Sequence, residues 1–301
     1  NFEKIKPIYD QSLLTKKFTD KTIEFINKNK NKPFFVFLSH PQPHVPLYAS
    51  SDFLGKSKRG LYGDVIQEID YSVGRIFKEL EKLNLEKNTL IIFTSDNGPW
   101  LSYGSHSGSA GNLKEGKGTT WEGGQRVPAI VYYPKLIKTK TIIEAQVMGI
   151  DWFPTISDIL SKKNNYNIDG KSLIKLLSGE SKKSPHKNLF FYYNQNELHS
   201  IRHNDWKYYF PHKYRSLNGR DGKNDGTPIK YEMNNLTNPE LYDLSKDIKE
   251  ENNIINQFPE IKIKIEKIAD SVRLILGDKL NKIKGNKTRQ IGETDYFMRI
   301  P

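Results

Sequence analysis

Three short stretches carry side chains suited to gripping an anion beside a hard metal ion. Asp96-Asn97-Gly98 lies in TSDNGP, directly after the apolar run TLIIF at 89–93. An adjacent carboxylate and amide offer oxygens that suit Ca²⁺ or Mg²⁺ better than zinc. The same triplet is also ordinary turn chemistry. His44 stands in SHPQPHVPL, just past the apolar run PFFVFL at 33–38. Prolines stiffen that loop, and an imidazole held there can protonate a leaving oxygen or donate a hydrogen bond to an oxyanion. A plain surface histidine is the alternative. Lys117 lies in EGKGTTWEGGQRVP between Gly116 and Gly118. Glycines let backbone approach a ligand closely, and an ammonium there can clamp an anionic group in transfer. The glycine spacing is not that of a phosphate-cradling P-loop.

Other residues have weaker claims. His106 in SYGSHSGSAG can face a substrate or serve its own loop. Arg126, after the glycine loop, reads as a structural ion pair or a direct anion contact. His212 and Arg215, in FPHKYR, are candidate substrate-binding residues because both types bind anionic or hydroxylated sugars; a basic surface cluster is the competing reading. The polar, Gly-rich segment SLNGRDGKNDGT (216–227) reads as a loop that can face a ligand.

The elements that must hold these residues follow from periodicity. PFFVFL and TLIIF read as buried strands, and AIVYY (129–133) as a third. Tyr62, Val65, Ile66, Ile69, Val73, Ile76, Phe77 and Leu80 recur at helical spacing, which predicts an amphipathic helix. Asp151 is placed to cap a further helix through Leu160, with Pro154 in its first turn. Strand–helix–strand order implies an α/β unit with a mostly parallel sheet. From Lys187 the pattern changes. NLFFYY, HSIRH, WKYYF and ELYDL are short aromatic-rich strand candidates that suggest a small antiparallel sheet, joined by a helix over 261–275 and an extended tail after Lys279. The division is thus 1–186 for the α/β unit and 187–301 for the small domain and tail.

The 301 residues can bury a sizeable core, and a formal net charge of +12 favours polyanionic partners. The basic residues are dispersed and no nucleic-acid motif is present, so nucleic acid is not expected as a partner. No apolar run is long enough to span a bilayer, and no membrane association is expected. Zero cysteines exclude disulfides, thiolate metal sites and a cysteine nucleophile in this stretch.

Taken in order, SHPQPHVPL, TSDNGP and GKGTTWEGGQRVPAI closely resemble the second half of the type I sulfatases, the arylsulfatase branch of the alkaline-phosphatase superfamily. DGKSL, WKYYF and ELYDLSKDIKEENNI resemble that family's small C-terminal domain, so the similarity runs from about residue 30 to about residue 275. FPHKYRSLNGRDG further resembles bacterial members acting on carbohydrate sulfates. The resemblance implies the alkaline-phosphatase-like fold, with a mostly parallel sheet between helices and a small antiparallel sheet with its own helix. It implies hydrolysis of a carbohydrate or aryl sulfate ester, with Asp96 and Asn97 at a Ca²⁺ site, Lys117 on the sulfate and His44 on sulfate and departing alcohol. It also implies export to the periplasm or outside.

The family nucleophile is a formylglycine made within a Cys/Ser-x-Pro-x-Arg motif, and this sequence holds no such motif. The paired aspartates of the other half of the calcium site are absent too, as is the Lys/His pair of the sulfate pocket. The expectation is a chain truncated before His44, inactive alone. A phosphatase or phosphodiesterase of the same superfamily is the nearest alternative. A non-catalytic polyanion-binding module is the one from another class.

Overall fold

A computed structural model describes residues 10–162 and 166–290. The chain divides into two compact units. The first holds the residues up to His186 together with Arg215–Met233; the second holds Lys187–Tyr214 and the chain from Asn234 onward.

In the first unit, helices α1 (Leu14–Asn29) and α2 (Gly60–Lys82) pack together. The face α1 buries is Thr15, Thr19, Thr22 and Ile26, so its contact with α2 is partly polar. The Thr19 and Ser72 hydroxyls meet at 2.5 Å, and the Arg75 guanidinium lies 2.7 Å from Asp20. Helix α2 follows the predicted apolar spacing. Its buried Val65 and Ile69 pack against Val45, Leu47 and Ala49 of the segment after His44. Two buried acids on α2 hold backbone. Glu68 accepts from the Ser50 N–H at 2.8 Å, and Asp64 accepts from the Gly55 and Ser57 N–H groups at 2.8 and 2.6 Å. Thus α2 fixes the chain on which His44 rides.

Strand β1 (Ile91–Thr94) pairs antiparallel with β2 (Ala129–Tyr132), with Thr94 opposite Ala129. A short helix α3 (Glu122–Gln125) ends the glycine loop, and α4 (Trp152–Ile159) and α5 (Ile174–Leu177) complete the unit. Asp151 is the N-cap residue of α4 but, against expectation, its side chain makes no capping hydrogen bond to that helix. Its buried carboxylate accepts from the Met148 N–H at 2.8 Å and the Lys171 N–H at 2.9 Å, and lies 2.7 Å from His186 Nε2.

The sheet differs from expectation. Every strand pair whose register is described is antiparallel, and 33–38 forms neither strand nor helix among the described residues. Phe35 and Phe37 there are 73 and 82% exposed. A parallel sheet forms only when strands distant in sequence lie side by side, and the described strands of this unit supply a single pair. Apolarity predicted a buried strand at 33–38, but it cannot supply the neighbour that a strand needs.

The second unit matches the predicted pattern closely. Strands β3 (Asn188–Tyr193), β4 (Glu197–His203), β5 (Trp206–Tyr209) and β8 (Glu240–Asp243) form an antiparallel sheet in that order. Helix α6 (Pro259–Leu276) covers one face, burying Ile265, Ala269 and Val272 against Leu198, Ile201, Tyr208 and Leu241. The remaining pair, β6 (His212–Ser216) and β7 (Glu232–Leu236), is divided between the units. The chain after Lys279 forms a tight turn capped by Asp278, whose carboxylate accepts from the Leu280 N–H at 3.0 Å. The expected extended tail beyond Gln290 lies outside the described residues.

Candidate active site

The site is built from backbone pressed against backbone. The turn after β1 and the glycine loop before β2 are stitched by two hydrogen bonds: Gly98 N–H to the Gly124 carbonyl at 3.1 Å, and Lys117 N–H to the Pro99 carbonyl at 2.8 Å. The approach is close enough that a Cβ on Gly98 would overlap the Gly123 carbonyl oxygen, and one on Gly116 would overlap that of Pro99. Glycine at both positions is therefore a packing requirement. The pairing of β1 with β2 brings the two loops to one end of the strands, so residues 96–100 and 114–125 share an edge.

Trp100 is the hub. Its ring meets the His44 imidazole edge-on with centroids 5.7 Å apart, and Tyr103 packs against it at 5.0 Å. The Lys117 ammonium lies 5.2 Å from the same ring centroid and the Arg215 guanidinium 5.9 Å. An indole face attracts cations without neutralising them, so it orients Lys117 while leaving its charge for an anion. Arg215 also donates from Nε and Nη2 to the Lys117 carbonyl, the former at 3.1 Å, and so fixes the loop that presents the ammonium. The adjacent Ser216 hydroxyl donates to Glu115 at 2.5 Å; burial pushes the Glu115 carboxyl up, and that hydrogen bond works against the rise.

His44 Nδ1 lies 2.6 Å from the Val45 carbonyl oxygen. A carbonyl only accepts, so Nδ1 carries the proton and Nε2 is the nitrogen offered outward. Asp96 is exposed, with the Ser95 hydroxyl 3.5 Å from its carboxylate. Asn97 donates from Nδ2 to the Gly98 carbonyl at 3.0 Å, which turns its Oδ1 away from the backbone. The pair thus presents hard oxygen donors in the turn that leads to Trp100. Calcium takes six to eight such oxygens, so this donor set fits part of a calcium site. Among the described residues no group of three or more His, Cys, Asp or Glu side chains converges as a metal cage.

The structure gathers His44, Lys117 and Arg215 around one aromatic ring, and Asp96 and Asn97 precede that ring by four and three residues in the sequence. His106 is half-buried at the end of the turn Leu101–His106, with Gly226 so near that a Cβ there would sit 3.0 Å from its Nδ1. Segment 216–227 therefore packs on that turn; Ser105 N–H donates to the Lys223 carbonyl at 3.3 Å. Arg126 lies 4.0 Å from Glu122 in an i,i+4 ion pair. His212 belongs to the second unit, where it is buried, donates from Nδ1 to the Phe210 carbonyl at 2.6 Å and stacks on His199 at 3.9 Å. The sequence reading missed Trp100. Its only sequence signal is an aromatic residue two places beyond Gly98, and its role depends on contacts from residues 44, 117 and 215.

Comparison with known proteins gives the chain a family. Residues 3–162 match the Sulfatase family and residues 116–274 match the family described as N-sulphoglucosamine sulphohydrolase, C-terminal. The chain is 35% identical over 269 residues to human steryl-sulfatase, covering 84% of this chain and 46% of that protein. It is 31% identical over 270 residues to N-acetylgalactosamine-6-O-sulfatase of Bacteroides thetaiotaomicron, covering 85% of this chain and 50% of that one. The crystal structure of the PsFucS1 sulfatase from Pseudoalteromonas sp. superposes with a TM-score of 0.77 at 25% identity, covering 90% of this chain and 56% of that chain. The chain spans about half the length of the curated relatives it matches. With the sulfatase match extending over more than half of its residues, the chain belongs to the sulfatase family.

Proposed function

We propose that this chain is the sulfate-gripping, metal-completing part of a calcium-assisted sulfatase that releases sulfate from a carbohydrate or aryl ester. One observation carries the reading: His44 and Lys117, 73 residues apart in sequence, flank a single Trp100 ring that follows the Asp96–Asn97 turn. Family membership and the sulfate-ester names of the relatives support it.

The chemistry follows from the side chains. Lys117 Nζ binds sulfate oxygens, its position held by the indole face and its backbone by Arg215. His44 gives a proton from Nε2 to the departing alcohol oxygen. The Nδ1–H bond to the Val45 carbonyl keeps the ring aimed and leaves Nε2 for that oxygen. Asp96 and Asn97 would hold the calcium ion, which would supply charge stabilisation for the sulfate oxygens. The formylglycine nucleophile and the remaining metal donors are assigned to an upstream segment, so the 301 residues alone are expected to be inactive. Export to the periplasm or outside is part of the same proposal. Among the described residues no helix is long and apolar enough to cross a membrane.

The test uses the longer protein that includes the upstream segment. Hydrolysis of 4-nitrophenyl sulfate with Ca²⁺ is expected to exceed that of 4-nitrophenyl phosphate. Lys117→Ala is expected to lower kcat/KM by about 10²-fold or more, the scale of a lost oxyanion-type donor. Faster phosphate hydrolysis with Zn²⁺ would instead select the phosphatase reading.

A further inference from the structure

A groove of about 580 Å³ runs along the second unit between edge strand β3 and helix α6. From Lys264 to Ile275 the helix contributes a stripe about 16 Å long, enough for more than one sugar ring. The floor is mostly apolar. Phe190 on β3 is 36% exposed, and Ile268 and Ile275 face it from α6. One end is ringed by Lys187, Lys264 and Lys267, all exposed and without an ion pair among the described residues.

His203 lies at that basic end and is 2% exposed. Its Nδ1 sits 2.6 Å from the Asn188 side-chain carbonyl oxygen, so Nδ1 is the donor. Its Nε2 is buried and has no hydrogen-bond partner. Burial, reinforced by Lys264 and Lys187, holds its pKa below the usual histidine range, so the ring is neutral and Nε2 is an unsatisfied acceptor. A buried acceptor left unmet is unfavourable, and a ligand hydroxyl would relieve it.

The groove thus calls for three features together: an anionic group for the lysines, a hydroxyl donor for His203 and a flat apolar face for Phe190. A sulfated or carboxylated sugar carries all three on one ring. An acidic peptide lacks the hydroxyl beside each carboxylate, and a free anion lacks the apolar face. We infer that the β3–α6 groove binds an anionic saccharide, with Lys187, Lys264 and Lys267 on its charged groups, His203 Nε2 on a hydroxyl and Phe190 against a ring. The groove shares no residue with the proposed catalytic site, and its occupancy requires neither Lys117 nor Asp96.

The test is titration calorimetry on the 301-residue chain with a heparin-derived hexasaccharide as the probe, and neutral dextran and polyglutamate as comparisons. Lys264→Glu/Lys267→Glu is expected to weaken hexasaccharide binding about tenfold or more and to flatten its salt dependence by about two counterions. Lys82→Glu/Lys246→Glu makes the same change in net charge on exposed positions away from the groove and is expected to change affinity less than twofold. Phe190→Ala is expected to weaken the hexasaccharide several-fold, with circular dichroism unchanged. Asp96→Ala/Lys117→Ala is expected to bind as the parent does. Equal losses in the two lysine doubles would show diffuse attraction and overturn the site. Polyglutamate binding as tightly, with the same dependence on the groove, would replace the saccharide by an acidic peptide. Loss confined to Asp96→Ala/Lys117→Ala would remove the groove while leaving the catalytic reading intact.

Discussion

A methyl group on Gly98 would meet the Gly123 carbonyl oxygen, because the Asp-Asn turn and the glycine loop run backbone against backbone there. Gly98→Ala must therefore push the loops apart. The expected cost is about 1–3 kcal/mol, read as a lower urea midpoint with an unchanged slope. His212 makes a different kind of prediction. Burial first, then the neighbouring His199, depresses its pKa to about 4, while unfolding returns it towards the ordinary histidine value of 6.5. Below about 6.5 the unfolded chain takes up a proton that the folded chain refuses, so stability falls as pH drops through that window and levels off near 4. The full effect is roughly 3 kcal/mol for a 2.5-unit gap. Urea melts from pH 7 to pH 4 should show the slope, and His212→Gln should reduce it. An unchanged slope in the variant would place the titration elsewhere. Of the candidate site, Asp96, Asn97, His44 and Lys117 could be proposed from the sequence because their residue types carry the chemistry, and Asp96 and Asn97 also follow directly on strand β1. Trp100 and the grip of Arg215 on the Lys117 carbonyl were not legible, since each depends on partners far along the chain.

Elements were readable where their burial is apolar and periodic. Helix α2 and the antiparallel strands of the second unit follow their patterns because one face of each meets a core. Helix α1 gives almost no such signal, since three of its four buried residues are threonines. Segment 33–38 shows the opposite failure. Its apolar run reads as a buried strand, but a ladder needs a partner, and pairing is not a local property. Within α2, Gly74 is helical and half-buried, and a Cβ added there would meet nothing within 4 Å, unlike one on Gly98. Gly74→Ala is therefore expected to raise stability by about 0.5–1 kcal/mol through reduced freedom of the unfolded chain. A thermal melt that moves downward would mean that α2 packs more tightly at that position than its surroundings indicate.

At the scale of the whole molecule, the first unit leaves much apolar surface in water. Phe35 and Phe37 are mostly exposed, and Phe93 and Ile130, opposite each other in the β1–β2 ladder, are 37 and 65% exposed. Side chains of this size seldom stand together in solvent without a partner surface. Under the proposed function, the upstream segment of the longer protein covers them and contributes the missing neighbours of 33–38. That reading makes the energetic weight of one residue depend on how much chain is present. In the 301-residue chain Phe37 is already 82% exposed, so Phe37→Asp should change stability by no more than about 0.5 kcal/mol and should raise solubility. In the longer protein the same substitution would bury a carboxylate in an apolar layer, at an expected cost of about 3 kcal/mol or more. Paired urea titrations of both lengths, parent and variant, measure the difference directly. A small effect in both lengths would mean that this face stays open in the complete enzyme. The upstream segment would then have to reach the His44–Lys117 edge by another route.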